Sequence, residues 1–245
     1  MAERGAALVT GGARRIGRAL VGAAADAGYD VAIHVRAVDD EAEAAAAEVR
    51  ARGRKAAILT CDLRKESTTV ALVGEAETEL GPVTLLVNSA SVFEEDAFAD
   101  MNRASWDAHM ETNLRAPLVL SQAFARRLPA GREGLIVNIL DQRVLRPSPE
   151  FFSYSLSKAA LWEATRMLAQ ALAPRVRVNG IGPGPTLASV HQDQAAFAAE
   201  VGATLMERAV DPAEIAGALK YLIDAKAVTG QMIAVDSGQH LAWRS

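Results

Sequence analysis

The 245-residue sequence has little of what several classes of protein require. Its single cysteine, Cys61, excludes an intrachain disulfide and any cysteine-based metal framework. The 4 histidines are scattered without the spacing of metal ligands, so no metal is expected. A net charge of −4 disfavours nucleic acid as a partner, because proteins that bind it present basic surfaces to the phosphates. Neither a bilayer-spanning apolar run nor a signal peptide is recognisable, so we expect a soluble, cytoplasmic protein without membrane contact.

Short apolar, β-branched runs alternate with longer helical patterns along the whole chain. Strands are predicted at 6–10, 30–36, 55–61, 83–89, 134–140, 176–181 and 231–235. Helices are predicted at 15–27, 39–52, 66–80, 103–129, 153–173 and 211–224. Strands that alternate with helices form right-handed βαβ crossovers. The sequence therefore predicts one α/β domain over residues 1–245, a Rossmann-like, doubly wound parallel sheet of about seven strands with helices on both faces.

The segment at about 186–211 does not fit this alternation. It is weakly helical, polar and rich in alanine, and it follows the sixth predicted strand. In open α/β sheets, ligands bind beyond the carboxyl ends of the strands. The segment is therefore interpreted either as a mobile lid over the substrate or as an ordinary pair of surface helices.

A glycine-containing turn, TGGARRIG at 10–17, ends the first predicted strand directly before a helix. Glycines at such a turn allow the backbone to approach a pyrophosphate held at the helix N-terminus. Arg36 ends the second strand, where an arginine suits the 2′-phosphate of NADP and an acidic residue would suit NAD. Asp39 and Asp40 are better placed as the N-cap and the first-turn acid of the next helix. NADP(H) is therefore the expected cofactor.

Tyr154 and Lys158 stand four residues apart in a long predicted helix, so both side chains project from one helical face. A tyrosine with its ordinary pKa of about 10 is a poor acid–base catalyst at neutral pH. A neighbouring lysine cation, together with an oxidised nicotinamide, is expected to lower the pKa of Tyr154 by favouring the phenolate. An isolated pair of this kind often has only a structural role, but here it follows a nucleotide-type turn.

Taken in order, these motifs resemble those of the short-chain dehydrogenase/reductase family over nearly the whole chain. The turn at 10–17 resembles the family's TGxxxGxG element, and Asn88-Ser-Ala-Ser91 resembles its Asn-Asn-Ala-Gly element. The resemblance implies that Asn113 keeps a proton-relay water near Lys158 and that Lys158 also holds the nicotinamide ribose. The cofactor-binding residues it implies are Gly11, Arg14, Arg15, Ile16, Gly17, His34, Arg36, Asp62, Leu63, Asn88, Ala90, Tyr154, Lys158, Pro183, Gly184 and Thr186.

Two departures from the family pattern bear on the substrate. Arg15 stands where the middle glycine of the turn would be, which puts a guanidinium beside the cofactor phosphates and the substrate pocket. Asp141, thirteen residues before Tyr154, stands where ordinary members have a serine that donates to a substrate carbonyl. An ionised carboxylate would repel a developing alkoxide, whereas it can accept from the N–H groups of a heterocycle or deliver a proton to nitrogen. A nitrogen heterocycle is therefore favoured over a simple ketone.

Together with Phe93, these departures resemble the pteridine reductases within the family. The resemblance implies that Phe93 stacks on a pterin and that hydride from NADPH reduces a C=N carbon. The expected catalytic residues are Asp141, Tyr154, Lys158 and Asn113, and the expected substrate-binding residues are Arg15, Ser91, Phe93, Asp141 and Tyr154. The plainer alternatives are a core phenylalanine at 93, a solvated acid at 141 and a solvated arginine at 15.

Two other functions stay open from the sequence. One is a carbonyl reductase, of the 3-oxoacyl or keto-sugar type, in which another hydroxyl replaces the missing serine. The other is a catalytically silent NADP(H)-binding sensor, a type of family member that tends to lose the tyrosine or the lysine. The family resemblance also implies a homo-oligomer, a tetramer, for which the apolar helices near 105–129 and 153–173 would provide surfaces.

Overall fold

The computed structural model describes residues 4–188 and 193–242. Its strands are β1 (Ala6–Thr10), β2 (Asp30–Val35), β3 (Ala56–Thr60), β4 (Val83–Asn88), β5 (Gly134–Ile139), β6 (Val176–Pro183) and β7 (Met232–Val235). They form one parallel sheet in the order β3-β2-β1-β4-β5-β6-β7. The predicted single-domain, Rossmann-like, doubly wound fold is confirmed, and each strand end lies within two residues of its predicted position.

Helices cover both faces of this sheet. They are α1 (Arg15–Asp26), α2 (Asp40–Ala51), α3 (Glu66–Thr69), α4 (Leu72–Leu80), α5 (Arg103–His109), α6 (Ala116–Arg127), α7 (Phe152–Leu172), α8 (Gln194–Gly202) and α9 (Pro212–Asp224). Alternate residues of β1 point to opposite faces: Ala7 and Val9 pack in the cluster with α1, α2 and α9, whereas Leu8 packs in the cluster with α4, α6 and α7. Both faces are thus buried, as parallel sheets require.

Two of the predicted helices are interrupted, for identifiable reasons. The helix predicted at 66–80 is split into α3 and α4, and the hydroxyl groups of Thr68 and Thr69 donate to the backbone carbonyl of Lys65 at the break. The helix predicted at 103–129 contains a π-helical turn, Met110–Arg115. Pro117 has no N–H to give to the carbonyl of Asn113, so the regular hydrogen-bond ladder is interrupted there.

A chain of buried polar side chains connects two central strands to α7. The amide of Asn88 on β4 donates to Oδ1 of Asn138 on β5, at 2.8 Å. The amide of Asn138 donates in turn to the hydroxyl of Thr165 on α7, also at 2.8 Å. Thr165 donates to the carbonyl of Leu161, one turn earlier in the same helix. All three side chains are nearly inaccessible to solvent, and their mutual hydrogen bonds replace part of those they would make with water. Oδ1 of Asn88 is buried without a hydrogen-bond partner among the described residues.

The strand order reverses between β1 and β4, which is where open α/β sheets bind their ligands. Most of the predicted site residues follow the carboxyl ends of β1 to β6, and this topology brings them to one edge of the sheet. No helix within residues 4–188 and 193–242 combines the length and the apolar character of a membrane-spanning segment.

Candidate active site

A cavity of about 1030 Å³ lies at the carboxyl edge of the sheet. Most of the predicted site residues line it, which brings the nucleotide end and the catalytic end into one continuous space. The predicted residues in its wall are Gly11, Arg14, Arg15, Ile16, Gly17, Arg36, Asp62, Leu63, Ala90, Ser91, Phe93, Asp141, Tyr154, Lys158, Pro183, Gly184 and Thr186.

The glycine turn after β1 has room for backbone only. Gly11 adopts φ = +64°, and a Cβ added there would lie 2.9 Å from Cα of Ala90. A Cβ at Gly17 would lie 2.0 Å from the carbonyl oxygen of Gly11, closer than any side chain tolerates. The turn therefore leads directly into α1 with its backbone exposed to the cavity, which is the form a pyrophosphate-binding cradle takes. The residues present fit a dinucleotide.

Arg15, which stands where the family pattern has a glycine, adopts a backbone conformation that favours glycine. Its φ of +51° lies in the left-handed region that non-glycine residues rarely adopt. Its guanidinium donates to the backbone carbonyls of Leu187 and Ala188, each at 2.8 Å. Arg15 is therefore not a freely solvated side chain, because it connects the glycine turn to the segment that follows β6.

At the nucleotide end, charged side chains surround the cavity after β2 and β3. Arg14 makes ion pairs with Asp39 and Glu41. Asp39 also accepts from the N–H of Ala42 at 2.9 Å, so its predicted role as the N-cap of α2 is confirmed. Arg36 is exposed at the cavity wall, where its guanidinium is accessible to a phosphate.

Asp62, after β3, is also held by a local ion pair. Arg64 donates to both carboxylate oxygens of Asp62 and lowers the pKa of that carboxyl to about 2. Arg64 lines the cavity as well, although sequence reasoning did not single it out. Arg64 directly follows Asp62 and Leu63, two of the cofactor-binding residues that the family resemblance implies, and this position was the signal that could have identified it.

Three predicted site residues lie behind the cavity wall. Nδ1 of His34 accepts from the N–H of Gly11 at 3.4 Å, while Nε2 lies 3.1 Å from the carbonyl of Cys61, and burial lowers the pKa of this histidine. Asn88 belongs to the buried polar chain described above. The side chain of Asn113 bridges the backbone of Val92 and the hydroxyl of Ser157. Their side chains shape the wall, and direct contacts with a ligand remain predictions.

The tyrosine and the aspartate of the predicted catalytic set are in direct contact. The hydroxyl of Tyr154 donates to Oδ2 of Asp141 at 2.8 Å, across the cavity end of β5 and α7. Oδ1 of Asp141 accepts from the N–H of Arg143, also at 2.8 Å, which fixes the rotation of the carboxylate. Asp141 is therefore part of the catalytic end of the cavity and is not a solvated loop acid.

The protein groups around Tyr154 act against a lowered pKa, so the expected lowering by Lys158 together with an oxidised nicotinamide stays a prediction. Burial and the adjacent Asp141 carboxylate raise the pKa of Tyr154 well above its usual value. Lys158 Nζ lies 5.7 Å from the centre of the tyrosine ring and donates to the carbonyl of Ile139 at 2.8 Å. Burial lowers the pKa of Lys158 to about 8. Among these groups Tyr154 is thus a neutral hydrogen-bond donor.

Phe93 belongs to an aromatic cluster in the cavity wall and is not a core residue. Its ring stacks on that of Phe151, with centres 4.3 Å apart and planes 12° apart, and meets the ring of Tyr154 edge-on at 4.7 Å. The guanidinium of Arg143 lies 5.8 Å from the centre of Phe93 and 5.4 Å from that of Phe151. Sequence reasoning missed Phe151 and Arg143, since no periodicity reveals contacts between the loops after β4 and β5.

The described part of the predicted lid includes α8. This helix has no buried residue, and Asp193, Ala196, Phe197 and Glu200 at its start and along one side line the cavity. Gln239 donates to Glu200 at 3.0 Å and connects the helix to the C-terminal part of the chain. Residues 189–192 of the predicted lid lie outside the described residues. A covering role for the segment therefore stays a prediction.

The family model of the short chain dehydrogenases matches residues 5–198. The chain belongs to this family. Among solved structures, an FolM alternative dihydrofolate reductase 1 from Brucella canis, complexed with NADP, is 46% identical to this chain. The match covers 100% of this chain and 97% of the Brucella canis chain, with a TM-score of 0.95. A blue fluorescent protein from a metagenomic library, in complex with NADPH, is 32% identical, with 96% and 97% of the two chains covered and a TM-score of 0.89.

Curated relatives within the short-chain dehydrogenases carry other names. A 3-oxoacyl-[acyl-carrier-protein] reductase from Staphylococcus epidermidis is 28% identical over 243 residues, with 96% of this chain and 98% of the relative covered. The predicted family is confirmed, and the chain resembles an alternative dihydrofolate reductase more than this 3-oxoacyl reductase. This short-chain dehydrogenase is therefore an oxidoreductase, and its substrate has to be argued from the site.

Proposed function

We propose that this short-chain dehydrogenase is a reductase of pteridines, of the dihydropterin or dihydrofolate type. The observation that carries the proposal is the hydrogen bond from Tyr154 to the carboxylate of Asp141. A carboxylate beside the acid–base tyrosine opposes the negative charge that a ketone oxygen develops during reduction. The same carboxylate accepts hydrogen bonds from the N–H groups of a heterocycle. The name of the Brucella canis structure agrees with this substrate class.

We propose NADP(H) as the cofactor. Support comes from the glycine turn with no room for a Cβ at Gly17, from the exposed Arg36 in the cavity wall after β2, and from the NADP or NADPH bound in related structures. NADPH, when bound, supplies the hydride that reduces a C=N carbon. Arg14, Asp62 and the turn at 182–186 would border it.

The residues of the chain would then handle the proton and the orientation of the substrate. Tyr154 is neutral because its pKa is raised, so it has a proton to give to the ring nitrogen next to the reduced carbon. Asp141 orients the tyrosine hydroxyl and accepts from an N–H group of the substrate. Phe93 offers a stacking face to the planar ring, a contact worth about 1 kcal/mol. Lys158 would restore the tyrosine proton, with the water that Asn113 is expected to keep.

The rival function is a carbonyl reductase, which the name of the Staphylococcus epidermidis relative favours. In that case, another hydroxyl, such as that of Ser91 in the cavity wall, would have to donate to the substrate carbonyl. A silent NADP(H) sensor is less well supported, because Tyr154 and Lys158 both line the same cavity.

The oligomeric state and the lid belong to the same proposal. A surface groove of about 480 Å³ between α6 and α7, lined by Leu118, Leu168 and Leu172, would be covered if these helices pair with a second subunit in a homotetramer. Helix α8, at the carboxyl edge of the sheet, would cover the bound substrate. Light scattering of the purified protein tests the tetramer directly.

The test of the proposed function follows NADPH absorbance with dihydropterins, dihydrofolate and a panel of small ketones. We expect oxidation of NADPH with the pteridines. We expect a loss of about 100-fold in Asp141→Ser, because this change removes the group that orients the acid–base tyrosine, and positioned acid–base groups contribute factors of this order. Asp141→Asn is the matched control for shape, because it keeps the size and removes the charge. NADPH fluorescence checks that both variants still bind the cofactor. Reduction of ketones alone, retained or improved in Asp141→Ser, would contradict the proposal.

A further inference from the structure

The helix that carries Tyr154 and Lys158 begins without a cap from its own sequence. Phe151 precedes α7 with φ = +51°, and its phenyl side chain has no atom that can accept from the first N–H groups of the helix. These N–H groups have no partner within a helix, and leaving one buried and unpaired is costly. Ser153, the second residue of α7, is buried, so its N–H group needs a partner from another part of the chain.

Asp96, on the loop between β4 and α5, is that partner. Its backbone carbonyl accepts from the N–H of Phe152 at 3.0 Å, and Oδ1 of its carboxylate accepts from the N–H of Ser153 at 2.9 Å. Oδ2 accepts from the hydroxyl of Ser105 on α5. Asp96 is only 7% exposed, although it belongs to a loop. One residue thus caps α7 and connects the loop after β4 to two helices.

The negative charge of Asp96 suits this place. Burial opposes its ionisation, but the hydrogen bonds from Ser105 and Ser153 outweigh burial and hold the pKa of the carboxyl below its usual value. A carboxylate at a helix N-terminus also meets the positive end of the helix dipole. Asp96 therefore does for α7 what an N-cap aspartate does, from a position 57 residues before Ser153.

The loop that carries Asp96 also carries Phe93, three residues earlier. The ring of Phe93 stacks on that of Phe151, directly before α7, and meets the ring of Tyr154 edge-on at 4.7 Å. Because Phe93 and Tyr154 belong to different elements, their mutual position depends on how this loop is held against the start of α7. Asp96 makes two hydrogen bonds at that junction, to the two residues directly before Tyr154.

We propose that Asp96 is a positioning residue, which sets the position of the Tyr154 hydroxyl relative to the stacking ring of Phe93 by capping α7 from the loop after β4. This inference rests on the proposed function, in which the substrate ring lies on Phe93 and receives its proton from Tyr154. A misplacement of about 1 Å between reacting groups can cost about 100-fold in rate. A cap at this junction therefore affects catalysis through the two residues that it holds in place.

The kinetic test compares Asp96→Ala and Asp96→Asn with the wild type, with kcat for pterin reduction referred to the number of NADPH-binding sites. Counting these sites by fluorescence titration removes unfolded protein from the comparison. We expect kcat to fall about tenfold in Asp96→Ala, with the KM for NADPH unchanged because the nucleotide end keeps its geometry. Asp96→Asn retains an oxygen that accepts from the N–H of Ser153, so its kcat should stay within about threefold of the wild type.

Asp211→Ala is the matched control, because Asp211 is a carboxylate N-cap on another helix. It accepts from the N–H of Ala213 at the start of α9, and it is exposed and outside the cavity wall. Its loss should lower stability and leave kcat per binding site unchanged. A kcat that falls equally in both alanine variants, or that is unchanged in Asp96→Ala, overturns the proposal.

A milder variant and a second measurement cover the case in which Asp96→Ala does not fold. Ser105→Ala removes only the donor to Oδ2 of Asp96, and we expect kcat to fall about threefold; an unchanged kcat overturns the proposal.

Hydrogen exchange followed by NMR tests the cap without turnover. We expect the amide of Ser153 to exchange about tenfold faster in Asp96→Ala than in the wild type, or than in Asp211→Ala. Equal exchange in all three proteins overturns the role of Asp96, whatever the substrate is. Faster exchange in a protein whose wild type reduces no pteridine supports the cap and refutes the proposed function instead.

Discussion

Lys158 should destabilise the protein at neutral pH, and its replacement by Met should therefore stabilise it. Burial lowers the pKa of Lys158 from 10.5 to about 8. At about 1.4 kcal/mol per unit, holding the ammonium in this site costs about 3 kcal/mol at pH 7. Loss of the hydrogen bond to the carbonyl of Ile139 offsets about 1 kcal/mol of the gain. We expect Lys158→Met to be more stable than the wild type by about 2 kcal/mol at pH 7.

The sign of the pH dependence separates this explanation from better packing by Met. Between pH 8 and pH 10.5 the unfolded chain binds a proton at residue 158 that the folded chain has released, so the free energy of unfolding of the wild type rises with pH. Above about pH 10 the raised pKa of Tyr154 acts in the opposite direction, so the comparison stays below that pH. The advantage of Lys158→Met should nearly disappear at pH 9.5.

The assay is urea unfolding of both proteins at pH 7 and pH 9.5, at one protein concentration. Lys226→Met, at an exposed position, is the control and should follow the pH dependence of the wild type. A Lys158→Met protein that is no more stable at pH 7, or whose advantage is the same at both pH values, would refute the reasoning. Lys158→Met should nevertheless lose activity, because stability favours an apolar side chain at position 158 whereas catalysis requires an ammonium group there.

Two further predictions concern the nucleotide end. Gly17→Ala should destabilise the protein by about 1–3 kcal/mol and weaken NADPH binding at least tenfold, because its Cβ would meet the carbonyl of Gly11. In contrast, Gly217→Ala in α9, where an added Cβ meets nothing within 4 Å, should stabilise the protein by about 0.5–1 kcal/mol. Thermal unfolding measures the stability of both glycine variants. Arg36→Ala should raise the Kd of NADPH about tenfold and leave that of NADH unchanged in fluorescence titrations, and equal effects on both would remove Arg36 from the 2′-phosphate site.

The fold and much of the cavity wall could be predicted because their signals are local. Strand ends and glycine turns are indicated by a few consecutive residues, and a parallel sheet brings the carboxyl ends of all its strands to one edge. The four-residue spacing of Tyr154 and Lys158 is enough to place both side chains on one helical face. Asp141 follows β5, so the same topology brings it to the cavity edge where Tyr154 lies.

What could not be predicted depends on contacts between distant segments. Nothing near Arg15 in the sequence indicates that it donates to the carbonyls of Leu187 and Ala188, more than 170 positions later. The partners of Phe93 come from loops after other strands, so Arg143 and Phe151 were missed. The raised pKa of Tyr154 also escaped prediction, because it depends on burial and on a carboxylate whose exact orientation no spacing reveals.

The buried polar chain from Asn88 through Asn138 to Thr165 limits how α7 can move relative to the sheet. Apolar side chains at these positions could pack at several heights along the helix with similar energies, whereas each hydrogen bond here is made at one height only. A shift of α7 by one residue would strand buried donors and acceptors, at about 1–3 kcal/mol for each. Tyr154 and Lys158 lie on the same helix, so these amide hydrogen bonds, together with core packing, set their distance from the glycine turn.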